Sequence, residues 1–174
     1  MLLEVEIGCG KGKFLVARAC ENPHIRFLGI DKAGRFLKRG ILRGQKRGLE
    51  NLEFVKGDIR IMLHTTIMPE SVEIFHIYFP DPWPKRRHRD RRLLQRDFLA
   101  LLHSRLKKGG LIEVATDDRD YFDAIKNSAS HNSLVWKEMR ESVNERLMEA
   151  ILPTNYEMKY KVEGRPIYYL ELQK

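Results

Sequence analysis

Glu6-Ile7-Gly8-Cys9-Gly10-Lys11-Gly12 sets three glycines between an apolar segment, Leu2 to Ile7, and a segment of helical spacing, Lys11 to Cys20, in which Phe14, Leu15 and Ala19 share one face. A strand that ends in a glycine turn and opens a helix is the first unit of an α/β sheet, because glycine allows the sharp turn and close approach of a ligand. The pattern then repeats. Arg26 to Ile30 predicts a second strand ending at Asp31, Ala33 to Gly48 a helix, Leu52 to Val55 a third strand and Val72 to Phe79 a fourth. Asp90 to Leu106 predicts a helix, with Leu94, Phe98, Leu101 and Leu102 on one face and Lys107, Lys108 and Gly109-Gly110 ending it. Leu111 to Ala115 predicts a fifth strand and Tyr121 to Ser128 another helix. Tyr156 to Val162 and Ile167 to Leu172 alternate and predict an antiparallel hairpin turning at Gly164. The fold class is therefore α/β: a mostly parallel, seven-stranded sheet with a C-terminal antiparallel hairpin and helices on both faces. Such sheets bind ligands beyond the carboxyl ends of their strands, where the strand order reverses. The glycine turn, Asp31, Asp58 and Asp81 all fall at those ends.

At 174 residues the expectation is one domain over 1–174. The longest apolar runs, such as Leu111 to Ala115, cannot span a bilayer, and Met1 leads straight into a strand rather than into a signal peptide. Cys9 and Cys20 form no disulfide framework and no zinc-ligand spacing. These features predict a cytoplasmic protein with no membrane and no metal. The net charge of +8 favours an anionic partner, nucleic acid first.

The glycine turn disfavours two nucleotide readings. Lys13 stands where a dinucleotide fingerprint needs its third glycine, and Phe14 follows Gly12-Lys13 where a phosphate loop needs Ser or Thr. Glu6 would repel a pyrophosphate but suits an ammonium group. Asp31 sits nineteen residues beyond Gly12, where an acid binds ribose hydroxyls. Asp58 can accept from an adenine amino group, or cap a helix. As an ordered set these acids describe S-adenosylmethionine, which has an amino-acid tail, a ribose and an adenine but no phosphate.

Pro80-Asp81-Pro82-Trp83-Pro84-Lys85 is a loop stiffened by proline. Seven Lys or Arg fall between Lys85 and Arg96, against the single acid Asp90, which suits a polyanion. Trp83 either stacks on a base or braces the loop. On the helix after Asp31, Lys32, Arg35, Arg39, Arg43 and Lys46 recur at helical spacing with no acid between Lys32 and Gly48. That face is either a solvated outer surface or an auxiliary RNA surface.

The glycine segment resembles motif I of the class I, Rossmann-like methyltransferases. Pro80-Asp81-Pro82-Trp83-Pro84-Lys85-Arg86-Arg87-His88 is similar to the signature of the bacterial tRNA (guanine-N7-)-methyltransferases, and Thr116-Asp117 and Thr154-Asn155-Tyr156-Glu157 resemble two further family segments. The resemblance implies an enzyme that transfers a methyl group from S-adenosylmethionine to N7 of guanosine 46 in the tRNA variable loop, working as a monomer or homodimer. It implies cofactor contacts at Glu6, Gly8, Gly10, Gly12, Asp31, Asp58 and Asp81, with Asp81 also catalytic. It implies substrate contacts at Lys85, Arg87, His88, Arg89, Asp90, Arg91, Arg92, Asp117, Thr154, Asn155, Tyr156 and Glu157. Asp117 alternatively caps the following helix. The sequence starts five residues before Glu6, so the family's usual N-terminal arm is expected to be either absent or truncated, and Asp31 stands where many relatives have glutamate. The competing readings are a methyltransferase acting on another RNA and a non-catalytic RNA-binding subunit of the same fold.

Overall fold

The computed structural model describes residues 2–130, 136–147 and 153–174. Its elements run β1 (Leu2–Ile7), α1 (Lys13–Glu21), β2 (Ile25–Asp31), α2 (Gly34–Gln45), β3 (Leu52–Lys56), α3 (Ile59–Thr65), β4 (Val72–Tyr78), a 3-10 helix (Arg86–Arg91), α4 (Arg96–Arg105), β5 (Leu106–Thr116), α5 (Arg119–Ser130), β6 (Glu138–Val143), α6 (Asn155–Val162) and β7 (Tyr168–Gln173). The seven strands form one sheet in the order β3-β2-β1-β4-β5-β7-β6. The first five strands pair in parallel, while β7 runs antiparallel to both β5 and β6. No described helix is long and apolar enough to cross a membrane.

Alternation along the strands divides the core. Val5, Ile7, Phe75, Ile77, Ile112, Val114 and Leu170 face one way, onto Leu63 of α3, Phe98 and Leu102 of α4, and Tyr121 and Ile125 of α5. The opposite face carries Phe27, Tyr78, Ala115 and Tyr169, covered by Phe14, Leu15 and Ala19 of α1 and by Tyr160 of α6.

On that second face the ring of Phe54 wedges between three glycines. A Cβ on Gly12 would lie 2.5 Å from its Cζ, one on Gly29 2.6 Å from its Cδ1, and one on Gly40 2.9 Å from its Cζ. Gly12 also adopts φ 64, so it serves both the turn and the packing. The ring thus lets α1, β2 and α2 approach one another closely.

Three parts of the chain differ from the sequence expectation. The C-terminal antiparallel pair is present, but β7 pairs with β6, not with residues 156–162. Those residues form α6 because Thr154 and Glu157 make a capping box: Glu157 N donates to Thr154 Oγ1 at 3.1 Å and Thr154 N to Glu157 Oε2 at 2.6 Å. The alternation of Tyr156, Met158 and Val162 is no buried face, since all three are exposed. The long helix expected over Asp90 to Leu106 begins only at Arg96, because Arg92 and Gln95 are extended. Gly109-Gly110 belongs to β5, not to a helix end; a Cβ on Gly110 would lie 2.9 Å from Glu73 O.

Alanine at a helix interior normally stabilises by about 1 kcal/mol over glycine. For Gly40→Ala we expect the opposite sign, a loss of about 1–3 kcal/mol in urea unfolding, because the added methyl overpacks the Phe54 ring. Combining it with Phe54→Leu should recover part of that loss. A stabilised Gly40→Ala single variant would refute the wedge.

Candidate active site

The carboxyl ends of β1, β2, β3 and β4 open into one cleft made of two adjoining cavities, of about 230 and 560 Å³, which share Gly8, Gly10, Phe36, Tyr78, Phe79 and Tyr156. The smaller reaches Glu6, Lys11, Lys13 and Phe14. The larger is bounded by Asp31, Lys32, Asp58, Asp81, Arg91 and Arg92.

The glycine turn is pinned to β2. Gly8 N and Cys9 N donate to Ile30 O at 2.8 and 3.3 Å. The Asp31 carboxylate accepts from Gly10 N at 2.9 Å and from Ala33 N at 2.7 Å, so one side chain holds the turn and the entry to α2 together. Asp58 is the N-cap of α3, accepting from Arg60 N at 2.8 Å, and it pairs with Lys32 at 2.9 Å. The Lys32 hydrogen bond is the main influence holding its carboxyl below the ordinary value.

Glu6 is different. It is 6% exposed, and its Oε2 is buried with no hydrogen-bond partner among the described residues. Burial pushes its carboxyl up to about 8, against the smaller opposing pull of His76 and Arg146, while Asp31 adds to the rise. An orphaned buried acceptor on a cavity wall fits a cationic hydrogen-bond donor such as an ammonium group.

The proline loop is held from beneath. Phe79 and Trp83 have φ 52 and 44, left-handed values that a bulky residue adopts only when its surroundings enforce them. His88 meets the Trp83 ring edge-on at 5.9 Å, and the Arg91 guanidinium lies 5.1 Å from the ring centre. Trp83 therefore braces the loop. Arg92 is 5% exposed: its Nε donates to Pro82 O at 2.7 Å and its Nη2 to Asp120 at 2.6 Å, and it sits 4.8 Å over Tyr121. Asp81 is exposed at the rim of the larger cavity.

The profile of a family described as "Putative methyltransferase" matches residues 2–170. A tRNA (guanine-N(7)-)-methyltransferase from Halalkalibacterium halodurans is 34% identical over 171 residues, covering 98% of this chain and 77% of the relative. The chain belongs to the tRNA (guanine-N(7)-)-methyltransferase family. A member from Streptococcus suis is 32% identical over 98% of this chain and 80% of its own, and one from Thermus thermophilus is 34% identical over 96% and 52%. The chain thus spans between about half and four-fifths of these relatives. Among solved structures, TrmN from Thermus thermophilus has TM-score 0.69 at 17% identity, covering 99% of this chain and 44% of that one. A 30S ribosomal A1408 methyltransferase from an uncultured bacterium has TM-score 0.65 at 18% identity, covering 99% and 87%. At these identities the likeness concerns the Rossmann-like fold.

The sites expected from the tRNA (guanine-N(7)-)-methyltransferase resemblance divide accordingly. Glu6, Gly8, Gly10, Asp31, Asp58 and Asp81 line the one cleft, whereas Gly12 lies behind it against Phe54. Asp90, Arg91, Arg92, Thr154, Asn155 and Tyr156 also border it. Lys85 and Arg87 are exposed outside it, and Arg89 pairs with Asp120 at 2.9 Å. Five of the expected contact residues have side chains engaged within the chain. Arg92 is a buried strut of the loop, not a free phosphate ligand, and His88 packs on Trp83. The Thr154 and Glu157 side chains are committed to the α6 capping box, and Glu157 also accepts from Tyr169 OH at 2.7 Å. Asp117 pairs with Arg165, and the cap of α5 is Asp118, which accepts from Tyr121 N at 2.7 Å.

Sequence reasoning missed a buried polar row behind the cleft. His76 is fully buried, with Nε2 2.9 Å from Glu4 and Nδ1 2.9 Å from Glu113. Arg18 Nη2 donates to Glu4 at 2.9 Å, and Tyr78 OH donates to Glu113. The Arg146 guanidinium lies 4.8 Å over the Tyr78 ring and 5.4 Å over Phe14. Burial acts to raise the Glu4 carboxyl, but hydrogen bonds from His76 and Arg18 outweigh it and hold the group at about 2. For His76 burial acts downward, and the bonds to Glu113 and Glu4 prevail and raise it. The available signal was the polar side chains at every second position of otherwise apolar strands: Glu4 and Glu6, His76 and Tyr78, and Glu113.

Because the Glu6 carboxyl moves from 4.5 unfolded to about 8 folded, the folded state holds the proton more tightly, and stability falls as pH rises through that interval. Glu6→Gln carries no such penalty. Its melting temperature relative to the unchanged protein, without ligand, should climb from pH 4.5 to 8 and level off above. A difference that stays flat across this range would contradict the assignment.

Proposed function

We propose that this protein transfers a methyl group from S-adenosylmethionine to N7 of guanosine 46 in the variable loop of tRNA. The observation that carries the reading is the single cleft in which Glu6, Asp31, Asp58 and Asp81, from four successive strand ends, surround a glycine turn. Membership of the tRNA (guanine-N(7)-)-methyltransferase family supports both the reaction and the substrate.

The residues present suit the cofactor. The unpaired Glu6 carboxylate accepts from its ammonium group, and Asp31, whose two bonds to backbone N–H leave acceptor lone pairs, takes the ribose hydroxyls. Asp58, which lines the larger cavity, would accept from the adenine amino group. When bound, S-adenosylmethionine supplies an electrophilic methyl group on a sulfonium centre.

Guanine N7 has an in-plane lone pair and no proton, so the protein need not remove one before attack. What remains for the chain is positioning and electrostatics. Asp81 accepts from the guanine N1 and N2 edge, which orients N7 into the cleft and stabilises the positive charge that the base acquires. The strut from Arg92 to Pro82 O and the Trp83 brace keep Asp81 at the rim without a search through loop conformations. Tyr156 offers an exposed aromatic face at the same mouth, 5.7 Å from Phe79. Lys85, Arg86, Arg87 and Arg91 stand exposed beside it for phosphate contact.

Incubation with labelled S-adenosylmethionine and an unmodified tRNA transcript should yield 7-methylguanosine at position 46; its formation at another guanosine, or none, would reject the substrate assignment. Asp81→Ala should lower kcat on the order of 10²-fold or more while leaving the circular dichroism melt unchanged. Near-normal turnover would remove Asp81 from the mechanism.

A further inference from the structure

The basic face of α2 is not the stripe that helical spacing predicts. Arg43 turns inward and donates from Nη1 to Lys11 O at 2.6 Å, bracing the glycine turn. Among the exposed cations, Arg39 and Lys46 stand apart, while four others gather in a shallow groove between α2 and the edge strand β3. Lys32, Arg35, Lys38 and Lys56 line it, with Ile41 and Phe54 at its base, and no carboxylate lines it among the described residues. Lys32 is already paired with Asp58, which leaves three cations for a ligand.

The groove is built, and it leads somewhere. A Cβ on Gly34 would come within 3.1 Å of Lys56 Cδ, so the missing side chain leaves room for the lysine stem to cross the first turn of α2. The Arg35 guanidinium is held 4.8 Å from the ring of Phe36, and that ring borders both cavities of the cleft. Lys32 lines the groove and the larger cavity alike. Across that cavity stands Arg91, in the basic 3-10 helix. Cations therefore flank the cleft on two sides, at the ends of β2 and β4.

We propose that the α2–β3 groove is a second phosphate track, which holds the backbone of the same RNA on the side of the target nucleotide away from Lys85 to Arg91. The inference rests on the reading that the substrate is tRNA. Point cations spaced along an open groove, with no acid among them, match a chain of phosphates. An apolar base to the groove accommodates the sugar edges between them. Two tracks on either side of a cleft would also hold the strand taut across it, which favours exposure of one base to the methyl donor.

The test is the triple variant Arg35→Ala, Lys38→Ala, Lys56→Ala, none of which lines the cleft. Affinity for an unmodified tRNA transcript is measured between 50 and 200 mM salt, alongside S-adenosylmethionine binding as a check on fold and cleft. We expect tRNA binding to weaken about 10-fold or more at the lower salt, with the slope of log K against log salt shrinking by about 2, while cofactor affinity is unchanged. Unchanged tRNA affinity and slope in the triple variant overturn the proposal and leave the groove to an acidic protein partner. If the unaltered protein binds tRNA yet forms no 7-methylguanosine, the proposed reaction fails while the groove is still tested by binding. If the unaltered protein binds no tRNA, both fall.

Discussion

The reversal of strand order between β1 and β4 is the constraint on which the site depends. β1 hands the chain to α1 on one face of the sheet, whereas the segment after β4 leads to α4 on the other. The two connections diverge, and a cleft opens between them at the carboxyl edge. Everything placed at that edge is fastened from neighbouring strands. Ile30 O and the Asp31 carboxylate of β2 hold the glycine turn that follows β1, and Phe79 N donates to Ala115 O of β5 at 2.7 Å, anchoring the start of the proline loop.

The face of the sheet beneath α1 is unusual in carrying charge. Glu6, His76, Glu113, Glu171 and Arg140 are register partners in sequence across β1, β4, β5, β7 and β6. Burying such groups is costly unless each finds a partner, and most do so within the row. His76 leans toward Glu4 and Glu113, Arg18 completes Glu4, and Arg140 pairs with Glu171. Among the described residues of the row, Glu6 Oε2 and Glu171 Oε1 are both buried without a hydrogen-bond partner, and of these two residues only Glu6 lines the cleft, at the cleft end of β1. The bare acceptor on the cleft wall is the one that a cationic donor entering the cleft can reach.

The basic segment after the proline loop divides its labour. Arg92 and Arg91 serve the loop itself, one through Pro82 O and Asp120, the other against Trp83, and Arg89 shares Asp120. Lys85, Arg86 and Arg87 are exposed, as is Arg91. Rigidity near Asp81 thus comes from the same run of residues that supplies the positive potential, a coupling that neither composition nor spacing reveals.

The sequence by itself determined the β–α order from β1 to β5 apart from α3, the glycine turn and the four strand-end acids, because each rests on local rules: period-two and helical spacing, glycine at positive φ, proline in loops. It also carried the capping box at Thr154 and Glu157, although the alternation of the residues beyond it pointed to a strand. Only the tertiary structure decided which of two roles a polar side chain takes. Asp58 caps α3 and also borders the cleft; Asp117 pairs with Arg165 while Asp118 caps α5; Arg92 and Arg43 turn inward where a charge run predicts solvent. Apart from the two local helix caps, those outcomes depend on partners 10 to more than 40 residues away, such as Arg43 on Lys11 and Arg165 on Asp117. Long-range pairing of that kind leaves no period in the chain, so it becomes legible only once the sheet has brought the partners together.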